Sequence, residues 1–220
     1  MIDICGIGWI DKEKYGCIAA GERVVYKDSS VFDGLSKKIF PHPFKNFGRL
    51  DKTSKLICYA AALALKDAGI NYSQKQDMGI IGANDSGSLE SDLLYFKDYL
   101  DCGRTLSRGN LFIYTLPSSP LGEAAIHFGL QGPLFYTASR RKPLSAIMTM
   151  ASDMILSDET SAMLAGLNSE ENAVYLILKK SAVSGSNFLC HESKIKAIAG
   201  KDLTFNGLIK KFSDLRKGQI

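Results

Sequence analysis

The sequence has little that would support metal or cofactor chemistry. Three glycines, Gly79, Gly82 and Gly87, lack the GxGxxG spacing of a dinucleotide-binding loop, and no acidic residue follows at the distance that such a loop requires. The cysteines show no CxxC pair and no metal-site spacing, a pattern that favours free thiols in a reducing compartment. We therefore expect no metal and no cofactor. The thiols are those of Cys5, Cys17, Cys58, Cys102 and Cys190.

Long apolar runs and a leader segment are also lacking. No stretch approaches the length of a membrane span, and the first residues, MIDICGIGWI, have no basic segment ahead of an apolar core. We therefore expect no membrane association and no secretion signal, and the predicted location is the cytoplasm. The net charge of +4 is mild, and no recognition motif accompanies the basic clusters, so nucleic acid is not an expected partner.

The pattern of segments that is present predicts a layered α/β domain with a mixed sheet. The chain has 220 residues, 45% hydrophobic and 23% charged, which suits one globular domain. Apolar periodicity predicts helices over 51–68, 88–100, 120–128, 143–156 and 203–215. Short apolar runs bounded by turns predict strands over 2–10, 17–26, 78–83, 134–138, 161–167, 173–178 and 194–199, with 111–116 extended and a linker at 181–186. The helix over 88–100 is amphipathic through Leu89, Leu93, Phe96 and Leu100.

The most informative segment is 132–155, which reads GPLFYTASRRKPLSAIMTMASDMI. A Gly-Pro turn, a short strand and a polar break precede an amphipathic helix, whose first turn accommodates Pro143. A nucleophile at such a break would lie at a helix N-terminus, where unpaired amides and the macrodipole favour negative charge, and a cysteine there would be stabilised as its thiolate. The sequence instead has Arg140, Arg141 and Lys142 at the break.

Four blocks of sequence, in this order, resemble the N-terminal half of the β-ketoacyl synthases, the condensing enzymes of the thiolase fold. They are DKTSKLICYAAALALKDAGI, MGIIGANDSGS, TLPSSPLGEAAIHFGLQGP and SAMLAGLNSEENAVYLILKK. The resemblance covers roughly residues 2–200. It implies a thiolase-like N-terminal half with a mixed, mostly parallel five-stranded sheet and helices on both faces. We expect this domain over 1–180, followed by a short C-terminal extension over 181–220 with a terminal helix.

Two departures from the family matter for function. In the family the acyl-accepting cysteine lies eight residues beyond the proline of the Gly-Pro turn, and this count from Pro133 reaches Arg141. Active ketosynthases are also about twice this length, and their C-terminal half supplies two histidines that none of His42, His127 and His191 matches. Because a guanidinium stays protonated and only donates hydrogen bonds, it cannot accept an acyl group. His127 is interpreted as a packed or capping residue.

The resemblance also implies partners. Condensing enzymes dimerise through the strand before the nucleophile, so we expect a homodimer, or a heterodimer with a ketosynthase of the kind that chain-length factors form. The corresponding strand here is Leu134, Phe135, Tyr136, Thr137 and Ala138. Lys45, Arg49, Lys52 and Lys55 match loosely the region where ketosynthases dock their acidic acyl carrier protein.

The cations at the break, Arg140, Arg141 and Lys142, are a second candidate for carrier-protein or anion binding. Their charge could be balanced by an acidic side chain across a subunit interface or by the phosphate of a phosphopantetheine arm, or they could simply be exposed to solvent. The sequence leaves these alternatives open.

The predicted function is a non-catalytic β-ketoacyl synthase-like subunit of a fatty-acid, polyketide or aryl-polyene type pathway. One alternative is an acyltransferase-class enzyme with altered chemistry at the former nucleophile position. Another is a half-enzyme completed by a separately encoded C-terminal chain.

Overall fold

The computed structural model describes residues 1–26, 33–72, 74–105, 107–138, 141–181 and 188–218, and its centre is one mixed β-sheet. Within these residues the strands are β1 Ile2–Ile10, β2 Lys14–Cys17, β3 Glu22–Val25, β4 Met78–Asn84, β5 Leu134–Ala138, β6 Ala162–Asn168, β7 Ala173–Lys180 and β8 Cys190–His191. The helices are α1 Ser36–Ile39, α2 Lys52–Asp67, α3 Leu89–Asp101, α4 Gly109–Phe112, α5 Ser119–Phe128, α6 Pro143–Leu156, α7 Glu192–Ala199 and α8 Phe205–Arg216. No helix in the described part of the chain is long and apolar enough to cross a membrane.

The strand order across the sheet is β3-β2-β1-β7-β6-β4-β5, and β8 pairs with β1. The predicted mixed sheet with helices on both faces is confirmed, but the prediction of five mostly parallel strands is wrong. Among the described strands the pairings of β4 with β5 and with β6 are parallel, whereas the other pairings are antiparallel. The single strand predicted over 17–26 is divided by a turn in which Gly21 has a left-handed φ of 67°, so β2 and β3 form two antiparallel strands instead of one.

The first core lies between the sheet and helices α2 and α5. The Asp51 carboxylate caps α2 by accepting a hydrogen bond from the Ser54 amide at 2.8 Å, and most of the helix is buried. Its backbone packs directly on β1: a Cβ added to Gly8 would lie 2.2 Å from the amide nitrogen of Ala64. At the other end of α2, the Asp67 carboxylate accepts hydrogen bonds from the amides of Ile7, Ala19 and Ala20. These bonds fix β1 and the turn between β2 and β3 to the end of the helix.

The second core covers the opposite face of the sheet with α6, α7 and α8. The predicted terminal helix is α8, whereas the strand predicted over 194–199 is the helix α7. Ile195, Ile198 and Ala199 follow the i, i+3, i+4 spacing of a helix and are all buried, so packing on α6 selects the helix. The segment 111–116, predicted to be extended, forms α4 and a 3₁₀ turn over 113–115. Apart from Ser181, the linker predicted over 181–186 lies outside the described residues.

Candidate functional site

The predicted nucleophile position lies between the end of β5 and the start of α6. Arg141 is two residues before Pro143, the first residue of α6, and Lys142 between them has a left-handed φ of 50°. Both cations are exposed, so each opposes the helix dipole at a cost of only about 0.3–1 kcal/mol. Arg140 lies outside the described residues, and its role in anion binding stays a prediction.

Arg141 and Lys142 line a cavity of about 450 Å³ at the carboxyl end of the parallel strands. Lys201 adds a third cation, and Asp85 and Asp202 supply two carboxylates. Its apolar lining comes from α6, α7, α8, the end of β6 and the α7–α8 connection. The volume is in the range of small-ligand pockets, and the mixture of cations with an apolar lining suits an anionic ligand that has an apolar part.

None of the five cysteines, all of which lie in the described residues, lines this cavity. Burial raises the pKa of Cys17 to about 12 and that of Cys190 to about 11, and it raises the pKa of Cys58 well above its ordinary value. Since the thiolate is the nucleophilic form, these three thiols are unreactive near neutral pH.

The other predicted basic residues lie on the opposite face of the sheet, where the structure brings only some of them together. Lys45 and Arg49 line a groove of about 550 Å³ between residues 43–50, the 3₁₀ turn after α4, and α5. The Lys55 ammonium lies 5.9 Å from the ring centroid of Phe47, next to this groove. Lys52 does not line this groove, and its charge contributes, after the stronger effect of Lys12, to the lowered pKa of Glu171.

His127 lies in the wall of the same groove. Its ring contacts confirm the interpretation that it is a packed histidine. Its ring stacks on that of Phe44, with centroids 3.6 Å apart, and meets the ring of Phe40 edge-on. Burial is the main cause that lowers the pKa of His127 to about 4, with a smaller effect from His42. The residue is therefore neutral at pH 7. The alternation of aromatic rings in the segment FPHPF, residues 40–44, is the sequence signal for this cluster.

We predict that His127 makes the protein less stable as the pH falls from about 6.5 to about 4. In this window the unfolded chain binds a proton that the folded chain does not, so the free energy of unfolding decreases as the pH falls. His127→Phe retains an aromatic ring and should lose less stability over this window, as measured by urea midpoints. His42→Asn, at an exposed histidine, is the control and should retain most of the decrease. An equal decrease in wild type and His127→Phe would contradict the prediction.

The predicted dimer strand β5 is at the edge of the sheet. It pairs with β4, and within the described residues no strand pairs with its other edge. The hydroxyl of Tyr136 donates a hydrogen bond to the Asn84 side chain at 2.9 Å, which holds β5 against the end of β4. Phe135 is 39% exposed. An unpaired edge with an exposed aromatic residue is a template for pairing with another chain.

Comparison with known proteins identifies the fold. The structure of the ishigamide ketosynthase/chain length factor has a TM-score of 0.61 and 16% identity, over 86% of this chain and 64% of that chain. A type II polyketide synthase acyl-carrier protein in complex with its ketosynthase has a TM-score of 0.55 and 14% identity. The match covers 81% of this chain and 63% of that chain. The ketosynthase ApeO in complex with its chain length factor ApeC, from Xenorhabdus doucetiae, has a TM-score of 0.53 and 14% identity. The match covers 83% of this chain and 80% of that chain.

The chain thus spans less than two thirds of the length of the first two of these structures. No curated protein sequence matches it. The model of the β-ketoacyl synthase N-terminal domain matches residues 9–200, which is most of the sequence. The chain therefore belongs to the β-ketoacyl synthase family.

Proposed function

We propose that this chain is a non-catalytic ketosynthase-like subunit that pairs with an active ketosynthase and helps to receive an acyl carrier protein in a fatty-acid, polyketide or aryl-polyene type pathway. The observation that carries the proposal is Arg141, which stands next to the start of α6 where the family resemblance expects the acyl-accepting cysteine. Condensation through a covalent acyl-enzyme needs a nucleophile that can lose its proton. A guanidinium stays protonated, so the Arg141 side chain cannot act as this nucleophile.

Pairing is supported by the open edge of β5. Two strands that meet edge to edge satisfy each other's unpaired amides and carbonyls, and the exposed ring of Phe135 would be covered in the process. Among the similar solved structures are a ketosynthase/chain length factor and a ketosynthase in complex with its chain length factor. They agree with a heterodimer as the functional unit.

Carrier-protein binding is supported by the groove that contains Lys45 and Arg49. Its two cations would attract an acidic partner, and the side chains of Ile113 and Ile126, which are 50% and 82% exposed, would give that partner apolar contacts. One similar structure holds an acyl-carrier protein with its ketosynthase.

The proposal is tested by co-expressing the chain with the full-length ketosynthase encoded nearest to it in the same genome. We expect a 1:1 complex by size-exclusion chromatography with light scattering. Phe135→Asp, which places a charge on β5, should weaken the complex at least about 10-fold, equivalent to about 1.4 kcal/mol. Phe188→Asp is a matched control, because Phe188 is 46% exposed outside β5. Absence of a complex with wild-type chain would refute the proposal.

A second candidate function is an acyltransferase-class enzyme with altered chemistry. The observation in its favour is the cavity beside Arg141, where Lys142 and Lys201 could help to hold a carboxylate and the apolar lining could hold an acyl chain. The half-enzyme alternative stays a prediction.

A further inference from the structure

A groove between α8 and the turn that joins β2 to β3 is separate from both sites described above. Its volume is about 530 Å³, which is within the range of small-ligand pockets. None of its lining residues lines the cavity beside Arg141 or the groove of Lys45 and Arg49. We call it the α8 groove and define it by six of its lining residues: Trp9, Ile18, Arg23, Ile209, Lys210 and Arg216.

The α8 groove has an excess of positive charge. Lys14 also lines it but is paired with Glu13 at 3.4 Å. Glu22 lines it as well and is paired with Lys66 at 2.6 Å. The remaining cations of the lining have no ion-pair partner among the residues that the structure describes, and they face one further carboxylate, that of Asp214. These four cations are Arg23, Lys210, Arg216 and Lys217.

The stability of α8 accounts for only part of this charge. Arg216 and Lys217 lie at the C-terminal end of α8, where cations interact favourably with the helix dipole. Arg23 on β3 and Lys210 in the middle of α8 gain nothing from that dipole. The Arg216 guanidinium lies against Gly21, and a Cβ at this position would overlap it. The fold therefore brings cations from two separate segments to one groove without neutralising them.

The lining of the α8 groove also contains an unpaired donor. Trp9 is 4% exposed, and its indole N–H has no hydrogen-bond partner in the described part of the chain. Its Nε1 lies over β2, 3.1 Å from the position that a Cβ on Gly16 would occupy, so a side chain there would crowd the nitrogen. Because buried donors are normally satisfied, an acceptor of a ligand in the groove would complete this bond.

These features select a ligand that has several negative charges and an apolar group. A phosphate monoester carries about −1.5 to −2 charges at pH 7, more than the single charge of a carboxylate, and so matches an excess of cations better. Arginine favours phosphate further, because its guanidinium donates paired hydrogen bonds to phosphate oxygens. Ile18 and Ile209, with the indole of Trp9, supply apolar lining for the rest of the ligand.

We propose that the α8 groove binds a phosphate ester that carries an apolar or aromatic group, either as a free small molecule or as the head group of a lipid. The phosphate lies among Arg23, Lys210 and Arg216, and the apolar group lies on the isoleucines. This site does not depend on the proposed function, since none of the residues assigned to pairing or to carrier-protein binding lines the groove.

Fluorescence of the full chain tests the proposal. Trp9 is the only tryptophan in the sequence, so its emission reports on the groove directly. Titration with phenyl phosphate should give a saturable change with a dissociation constant below about 1 mM. Benzyl alcohol, which lacks the phosphate, and inorganic phosphate, which lacks the ring, should each bind at least about 10-fold more weakly.

Two double variants show whether the cations of the groove are responsible. Arg23→Gln with Lys210→Gln removes two exposed cations of the lining, and we expect it to weaken the binding of phenyl phosphate at least about 10-fold. Lys37→Gln with Lys38→Gln is the matched control: it removes the same charge from exposed positions of α1 outside the groove and should change binding less than about 2-fold. Urea denaturation of each variant verifies that the fold is retained.

Vesicles of phosphatidylcholine and phosphatidic acid distinguish the two sources of the phosphate. Sedimentation of the chain with these vesicles assigns the site to a lipid head group, and saturable binding of phenyl phosphate without sedimentation assigns it to a free small molecule. Either result supports the proposal if it is lost in the groove variant and retained in the α1 control. If the chain binds neither probe, or if the two double variants lose binding equally, the proposal is overturned.

Discussion

The isolated chain, incubated with malonyl-loaded and acyl-loaded carrier protein, is expected to yield no condensation product and no covalent acyl adduct. Arg141 cannot form a thioester, burial raises the pKa values of Cys5, Cys17, Cys58 and Cys190, and the exposed Cys102 does not line the cavity beside Arg141. Intact-protein mass spectrometry detects an adduct directly, and a product assay detects condensation. The complex with an active ketosynthase should produce both signals, with the acyl group on the ketosynthase.

Two variants distinguish the non-catalytic subunit from an enzyme of altered chemistry. Replacing the nucleophilic cysteine of the partner ketosynthase should abolish condensation by the complex, a loss of several orders of magnitude. Arg141→Ala in this chain should leave the rate of the complex within about 3-fold, because Arg141 forms no bond to the acyl group. Turnover by the isolated chain that disappears in Arg141→Ala would instead establish the acyltransferase alternative.

Phe212→Ala is expected to destabilise the protein by about 3–5 kcal/mol, enough to unfold a marginally stable domain. The ring of Phe212 on α8 is fully buried in the second core with Ile195 and Ile198 of α7. Its removal leaves a cavity against the sheet that the surrounding helices cannot close completely. Urea denaturation followed by circular dichroism measures the change in the free energy of unfolding.

Phe188→Ala is the matched control, because this ring is 46% exposed and lies beside the ring of His191, with centroids 5.0 Å apart. We expect it to change stability by no more than about 0.5 kcal/mol. A loss of less than about 1 kcal/mol in Phe212→Ala would show that α8 is not needed for the second core. The domain would then be able to fold without its extension.

The elements with strong local signals were predictable from the sequence. Helix α2 has a run of small and apolar residues that predicts a helix over 51–68, and the structure has this helix at Lys52–Asp67. Strands β4 and β5 likewise follow their short apolar runs. In contrast, the segment of α7 is only eight residues long, and its apolar residues fit a strand or a helix equally well until packing on α6 decides.

Features that depend on distant contacts could not be predicted. The cavity beside Arg141 combines residues near positions 85, 141 and 201, and only the folded chain brings them together. The direction that the leucine stripe of α3 faces depends on hydrogen bonds that join α3 to other segments, from Ser91 of α3 to Asp51 and from Arg108 to Asp98 of α3. Amphipathic periodicity identifies such a helix, but it does not tell which side contacts the protein.

The position of Cys102 has a practical consequence. It is the one exposed cysteine of the five, whereas burial raises the pKa values of the other four and keeps them mainly in the unreactive thiol form. Cys102 directly follows the last residue of α3. A maleimide fluorophore would therefore attach to the native sequence at the rim of this helix, where its emission could follow the arrival of another molecule in real time.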